Sequence, residues 1–165
     1  MSFFLTMIFP ADAFCTFKDL LTRHKATASK YLESQYESFF PSYRQLLLSQ
    51  NFVTQLNSTK LLSELLTDRN NINVMKAFIS DSEHLKLTMN LLLHKAPAIQ
   101  IEAFHIFKIF VLNPNKPDAV MDILLKNKKL LEKLLSDFLP ELTEWNHFQA
   151  EKSSILNEIT DLKST

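Results

Sequence analysis

The chain has 165 residues and no glycine, where average usage of about 7% would give roughly a dozen. A phosphate-binding loop, a dinucleotide fingerprint, a nucleophile elbow and a calcium loop each need glycine for a positive φ or a close backbone approach, so none is present in its usual form. Lys plus Arg and Asp plus Glu both total 18, which leaves no net field to draw nucleic acid or anionic lipid to the surface.

The first ten residues, Met1 to Pro10, are apolar but carry no basic residue ahead of the apolar run, which argues against a secretory leader. No run approaches the ~20 apolar residues of a membrane-spanning helix. The single cysteine, Cys15, can form neither an internal disulfide nor a paired-thiolate zinc site and fits a reducing, intracellular setting. It falls on an expected apolar helix face beside Phe14, where a thiol behaves as a small inert hydrophobe. Prolines at the edges of apolar runs and helical apolar spacing predict one all-α domain. Its helices are expected over 12–25, with Asp12 as N-cap, 27–40, closed by Pro41, then 43–48, 52–67, 72–79, 83–94, 98–112, 118–126, 128–138 and 145–162.

These helices repeat. Leu20-Leu21-Thr22 recurs as Leu65-Leu66-Thr67, and an offset of 46 pairs Val53 with Ile99, Leu61 with Phe107, Val74-Met75 with Val120-Met121, Phe78 with Leu124, Leu85 with Leu131 and Met89 with Leu135. A period of about 40–47 residues built from two or three helices is the signature of armadillo or HEAT repeats. About three such units would stack into a solenoid with a concave face. The helix over 98–112 is apolar almost all round, and its polar residues Glu102, His105 and Lys108 form one narrow stripe. That stripe reads equally as a partner-binding ridge or as the wetted edge of a core helix.

Candidate chemistry is sparse. The histidines at 24, 84, 94, 105 and 147 offer no pair three or four apart and no cysteine cluster to join, which argues against a metal site. No local sequence nominates a nucleophile, so no catalytic residue and no cofactor are expected. Asp81 and Glu83 favour the start of the helix after them through its dipole, as Glu141 and Glu144 do for the last helix. In Glu83 to His94 the apolar residues exceed one stripe. Either repeat stacking absorbs the surplus, or an adaptable Met89 flanked by Lys86 forms a shallow pocket for a short peptide with aromatic side chains and a carboxylate.

The stretches Asp12 to Lys25, Glu83 to Leu92 and Ile101 to Lys116, together with Ile123-Leu-Leu-Lys-Asn127, closely resemble the calcium-binding protein 39 family. The resemblance runs from about Ala11 to Lys163 and covers only the C-terminal half of that family's length. It implies a non-catalytic, cytoplasmic, armadillo-like scaffold. Such a scaffold binds a pseudokinase adaptor and helps activate serine/threonine kinases of the liver-kinase and germinal-centre types. By the resemblance, a C-terminal Trp-Glu-Phe tail docks at Lys86, Met89 and Lys126, and a concave kinase-facing surface includes Leu56, Arg69 and Ile72. On that surface Arg69 matches the family, whereas Gln55-Leu56 stands where a Lys-Arg pair is usual and Ile72 where a Phe is; near the tail pocket Leu130, with Lys129 adjacent, replaces a further lysine, and Ser63 replaces a glycine inside a helix. Loss of a fork-shaped donor at Leu56 predicts retained tail binding and weakened kinase activation. The alternative is a diverged half-length repeat protein left with tail binding or a structural role. For the apolar segment 1–10, two readings stay open: a makeshift cap on the first repeat, or self-association through that repeat's exposed face.

Overall fold

The computed structural model describes residues 11–140 and 146–163, in which nine of the ten helices form three repeated triplets and the last opens a fourth. The helices are α1 (Ala11–Thr22), α2 (Lys25–Ser34), α3 (Tyr36–Leu47), α4 (Phe52–Thr67), α5 (Ile72–Ser80), α6 (Ser82–Leu92), α7 (Pro97–Leu112), α8 (Asp118–Lys126), α9 (Lys128–Ser136) and α10 (Asn146–Asp161), with a 3-10 turn at Arg69–Asn71. No strand occurs among the described residues. The apolar segment 1–10, Glu141, Glu144 and Trp145 lie outside them.

The helices α1, α4, α7 and α10 pack one on the next, and the pairs α2–α3, α5–α6 and α8–α9 fill the intervals between them. This is the expected solenoid stacking of helical repeats. The period is not uniform. Ile72 and Asp118 open α5 and α8, 46 residues apart, and Val74 and Val120 are both buried, as are Phe78 and Leu124. Between α4 and α7 the offset is 45, since Phe52 and Pro97 open them and Thr67 and Leu112 close them. The pairing of Val53 with Ile99 is therefore corrected: Val53 is exposed, and buried Ile99 corresponds to buried Thr54.

The middle helices must be buried on several sides, and their sequences allow it. In α7 the side chains Ile99, Phe104, Ile106, Phe107, Phe110 and Val111 have no exposed surface. In α4 the buried hydroxyls satisfy themselves within the helix, Ser58 Oγ donating to the Thr54 carbonyl at 2.7 Å and Thr59 Oγ1 to that of Gln55 at 2.7 Å. Asn51 caps α4 by accepting from the Thr54 N–H at 2.9 Å, and Asp81 caps α6 by accepting from the Glu83 N–H at 2.8 Å.

The first repeat departs from expectation in three places. Asp12 lies inside the first turn of α1 rather than at its cap. Cys15 is exposed, not on the apolar face. The chain breaks at Gln35, not at Pro41, which sits within α3. Tertiary packing decides this last point, because the turn at Gln35 aims Phe40, Tyr43 and Leu47 into the core and lets the Tyr43 hydroxyl donate to the Ser58 carbonyl at 2.7 Å. Pro41 is exposed, so the Glu37 carbonyl that loses its N–H donor meets water instead. Pro41→Ala is expected to raise stability by about 2 kcal/mol, the helix-propensity gain less the lost stiffness of the unfolded chain. A rise in the urea midpoint checks this; a fall would mean that α3 depends on the prolyl ring.

Candidate partner-docking surface

At two of the three corners the helix that closes one triplet is tied to the helix that opens the next by the same bond. Gln55, the fourth residue of α4, donates through Nε2 to the carbonyl of Leu47, the last residue of α3, at 3.0 Å. Gln100, the fourth residue of α7, does the same to Leu92, the last of α6, at 3.1 Å. Gln149 holds the same place in α10, but its Nε2 is buried without a partner. Residues 48–51 and 93–96 make four-residue corners at the first two positions, whereas nine residues separate α9 from α10. There Leu139 takes φ 47°, the one positive φ among the described residues, and Lys152 Nζ donates to the Phe138 carbonyl at 3.0 Å.

The helices that open the triplets, α1, α4, α7 and α10, are also stitched by charge. Lys18 on α1 pairs with Glu64 on α4 at 3.1 Å, and Lys108 on α7 with Glu151 on α10 at 2.9 Å. Glu102 on α7 is half-buried; burial pushes its carboxyl up, and the Lys60 charge on α4 partly offsets this. Two members of the Glu102–His105–Lys108 stripe thus interact with groups on neighbouring repeats.

The residues expected to dock a peptide tail come from two packed helices. Lys86 and Met89 are one turn apart on α6, and Lys126 ends α8, which packs on α6. Met89 is half-buried against the core, while Lys86 and Lys126 are exposed. Lys86 Nζ lies 2.6 Å from Glu83 Oε1, an exposed pair of the kind worth about 0–1 kcal/mol and readily exchanged. Lys126 stands at the negative end of the α8 dipole. Stacking absorbs most of the apolar surplus of α6, since Leu85, Leu87, Leu91 and Leu92 are buried. A cleft of about 460 Å³, lined by none of these three residues, lies between Gln100 on α7, Leu130, Lys133 and Leu134 on α9, and the corner at Asp137 and Phe138.

Of the residues expected on the kinase-facing surface, Arg69 and Ile72 are exposed and adjacent, and Leu56 is half-buried against the core. Arg69 is displayed by a firmly held turn. Asp68 accepts from the Asn70 N–H at 2.9 Å and from Lys25 at 2.6 Å, which holds its carboxyl down at about 2. Ser29 Oγ donates to the Asn70 carbonyl at 2.6 Å, and Asn71 Nδ2 donates to that of Leu65 at 3.0 Å.

On α6, His84 stacks on the Phe78 ring with centroids 4.1 Å apart, and its Nδ1 lies 3.1 Å from the Phe78 carbonyl. Burial lowers its pKa from 6.5, against opposing pulls from that carbonyl and Asp81. Below pH 6.5 the unfolded chain then takes up the proton that the folded chain refuses. The contribution is whole above 6.5 and is lost as pH falls towards the lower folded value. His105, also lowered by burial, acts in the same direction, and Glu102, raised, in the opposite one. The melting temperature is expected to fall between about pH 7 and about pH 5.5, and His84→Gln to flatten that slope. An unchanged slope in the variant would assign the dependence to other groups.

A family model described as Mo25-like matches residues 6–163. The chain is 50% identical over 155 residues to a human protein named calcium-binding protein 39-like, covering 94% of this chain and 46% of that relative. It is 46% identical over 152 residues to MO25-like protein 2 of Caenorhabditis elegans, covering 92% and 45%. It is 42% identical over 152 residues to the Mo25-like protein of Schizosaccharomyces pombe, covering 92% and 46%. The chain spans about half the length of the curated relatives it matches. With the match running from α1 through α10 over stacked helix triplets, the chain belongs to the Mo25-like family.

Proposed function

We propose that the chain is a non-catalytic scaffold of cytoplasmic kinase signalling, which docks the C-terminal Trp-Glu-Phe tail of a pseudokinase adaptor between α6 and α8. The supporting observation is that Lys86, Met89 and Lys126, expected from the family, lie on two helices packed together. Met89 supplies a deformable apolar contact, and two exposed ammonium groups meet a carboxylate. No described helix is long and apolar enough to cross a membrane.

The partners in this reading are the pseudokinase and, through it, serine/threonine kinases of the liver-kinase and germinal-centre types. Activation of those kinases is weakened here. Leu56 is turned to the core and Gln55 is engaged with the Leu47 carbonyl, so neither offers the fork-shaped donor that pairs a carboxylate bidentately. Arg69 remains as the exposed cation.

A fluorescence-anisotropy titration with a labelled peptide ending in Trp-Glu-Phe tests the docking half. Saturable binding is expected with the free terminal carboxylate, and about tenfold weaker binding once that terminus is amidated. Equal binding of both peptides, or none by folded protein, would remove it. Full activation of a partner kinase in a reconstituted assay would remove the second half.

A further inference from the structure

Two corners of the helix stack are closed by the same pair of bonds. At the α3–α4 corner Gln55 Nε2 donates to the Leu47 carbonyl at 3.0 Å, and the Asn51 N–H donates to Ser49 Oγ at 3.1 Å. At the α6–α7 corner Gln100 Nε2 donates to the Leu92 carbonyl at 3.1 Å, and the Ala96 N–H donates to His94 Nδ1 at 3.0 Å. Ser49 and His94 therefore hold one structural position. Each accepts the amide of the residue two places on, which is the N-cap of the next opening helix. Their chemistry differs. A hydroxyl accepts at any ordinary pH, whereas an imidazole nitrogen accepts only while it carries no proton. Because the donor opposite Nδ1 is a backbone N–H, the neutral ring must carry its own proton on Nε2.

The second corner leans on its bond more heavily than the first. Asn51 also caps α4 through its side chain, accepting from the Thr54 N–H at 2.9 Å, but Ala96 makes no side-chain cap to α7. Pro97, which opens α7, has no N–H to offer. An imidazolium at His94 sets two N–H groups against each other, so protonation breaks the bond. Among the described residues His84 and His147 have a carboxylate within 4.0 Å, and His94 has none from any helix. The cation beside it in the chain is Lys95, which is exposed.

We propose that the α6–α7 corner is an acid-released latch. With His94 neutral, the corner fastens the second triplet to the third. With His94 protonated, the Ala96 N–H loses its acceptor and the corner over residues 93–96 loosens, while the α3–α4 corner, closed by Ser49, stays shut. Acid thus turns one junction of the solenoid into a hinge and leaves its neighbour fastened. The latch uses none of Lys86, Met89 and Lys126, so its fate is independent of the tail-docking proposal.

The test is amide exchange read by NMR on the full chain at about pH 7.5 and about pH 5.5, the interval in which an imidazole ordinarily gains its proton. Rates are corrected for the intrinsic pH dependence of exchange. Protection at Ala96 is expected to fall about five- to tenfold at the lower pH, the factor for one lost hydrogen bond, while protection at Asn51 changes by less than about twofold. His94→Ser, which transplants the acceptor of the first corner, keeps Ala96 protected at both pH values, and His94→Ala leaves it weakly protected at both. The proposal is overturned by pH-independent protection of Ala96 in the wild type, or by an equal fall at Asn51. It is equally overturned by a fall that persists in His94→Ser, which would assign the effect to another group such as His84 at the far end of α6.

Discussion

Phe78→Ala is expected to remove about 3–5 kcal/mol of stability, the range for deleting a buried phenylalanine. That is a large share of the roughly 5–15 kcal/mol that holds an ordinary domain together. Phe78 is 1% exposed and stands where three helix triplets meet. Its ring lies 5.4 Å from that of Phe40 on α3, 4.1 Å from His84 on α6 and 5.9 Å from Phe110 on α7. Truncation opens a cavity among groups that cannot close around it, and it leaves the His84 imidazole without its stacking partner. Denaturant unfolding measures the loss. Leu20→Ala, at a side chain 69% exposed, is the control and should change stability by no more than about 0.5 kcal/mol. Equal effects at the two positions would mean that the triplets do not meet at Phe78.

Lys126→Glu is expected to weaken the Trp-Glu-Phe peptide by about 10- to 100-fold, since reversal turns an attractive contact at a helix C-terminus into a repulsive one. Lys86→Glu should cost less, because Glu83 already shares the Lys86 charge at 2.6 Å. Met89→Ala should cost about tenfold through lost apolar contact alone. Salt separates these causes: added salt weakens the wild type and Met89→Ala in parallel, and weakens Lys126→Glu less. Wild-type affinity in all three variants would place the peptide elsewhere.

Where local chemistry decides an element, the sequence was a good guide. Asn51 and the corner after Thr67 bound α4, and the all-round apolarity of α7 announced its burial. Where packing decides, it was not. Pro41 reads locally as a stop, but the inward demand of Phe40, Tyr43 and Leu47 carries α3 through it. Nor does a helical periodicity say which side of a first repeat faces a neighbour. Thr16 and Cys15 are exposed, although Leu61 and Ile106, at the equivalent of Thr16, are buried.

The candidate site was legible only in part. Family resemblance singled out Lys86, Met89 and Lys126, but that α8 packs on α6 is a tertiary fact which no spacing contains. The repeated glutamine bond was missed. Its signal was present, for Gln55 and Gln100 are 45 residues apart and their acceptors Leu47 and Leu92 share the interval. The ion pairs Lys18–Glu64 and Lys108–Glu151 were not legible, since opposite charges at such separations occur throughout a chain with 36 charged Lys, Arg, Asp and Glu side chains.

Docking between α6 and α8 is tested most directly by amide hydrogen exchange of the full chain with and without saturating Trp-Glu-Phe peptide. Slowed exchange is expected in α6 around Lys86 to Met89 and at the end of α8 around Lys126. Protection confined to α9 and the Asp137–Pro140 corner, or no protection at all, would contradict it.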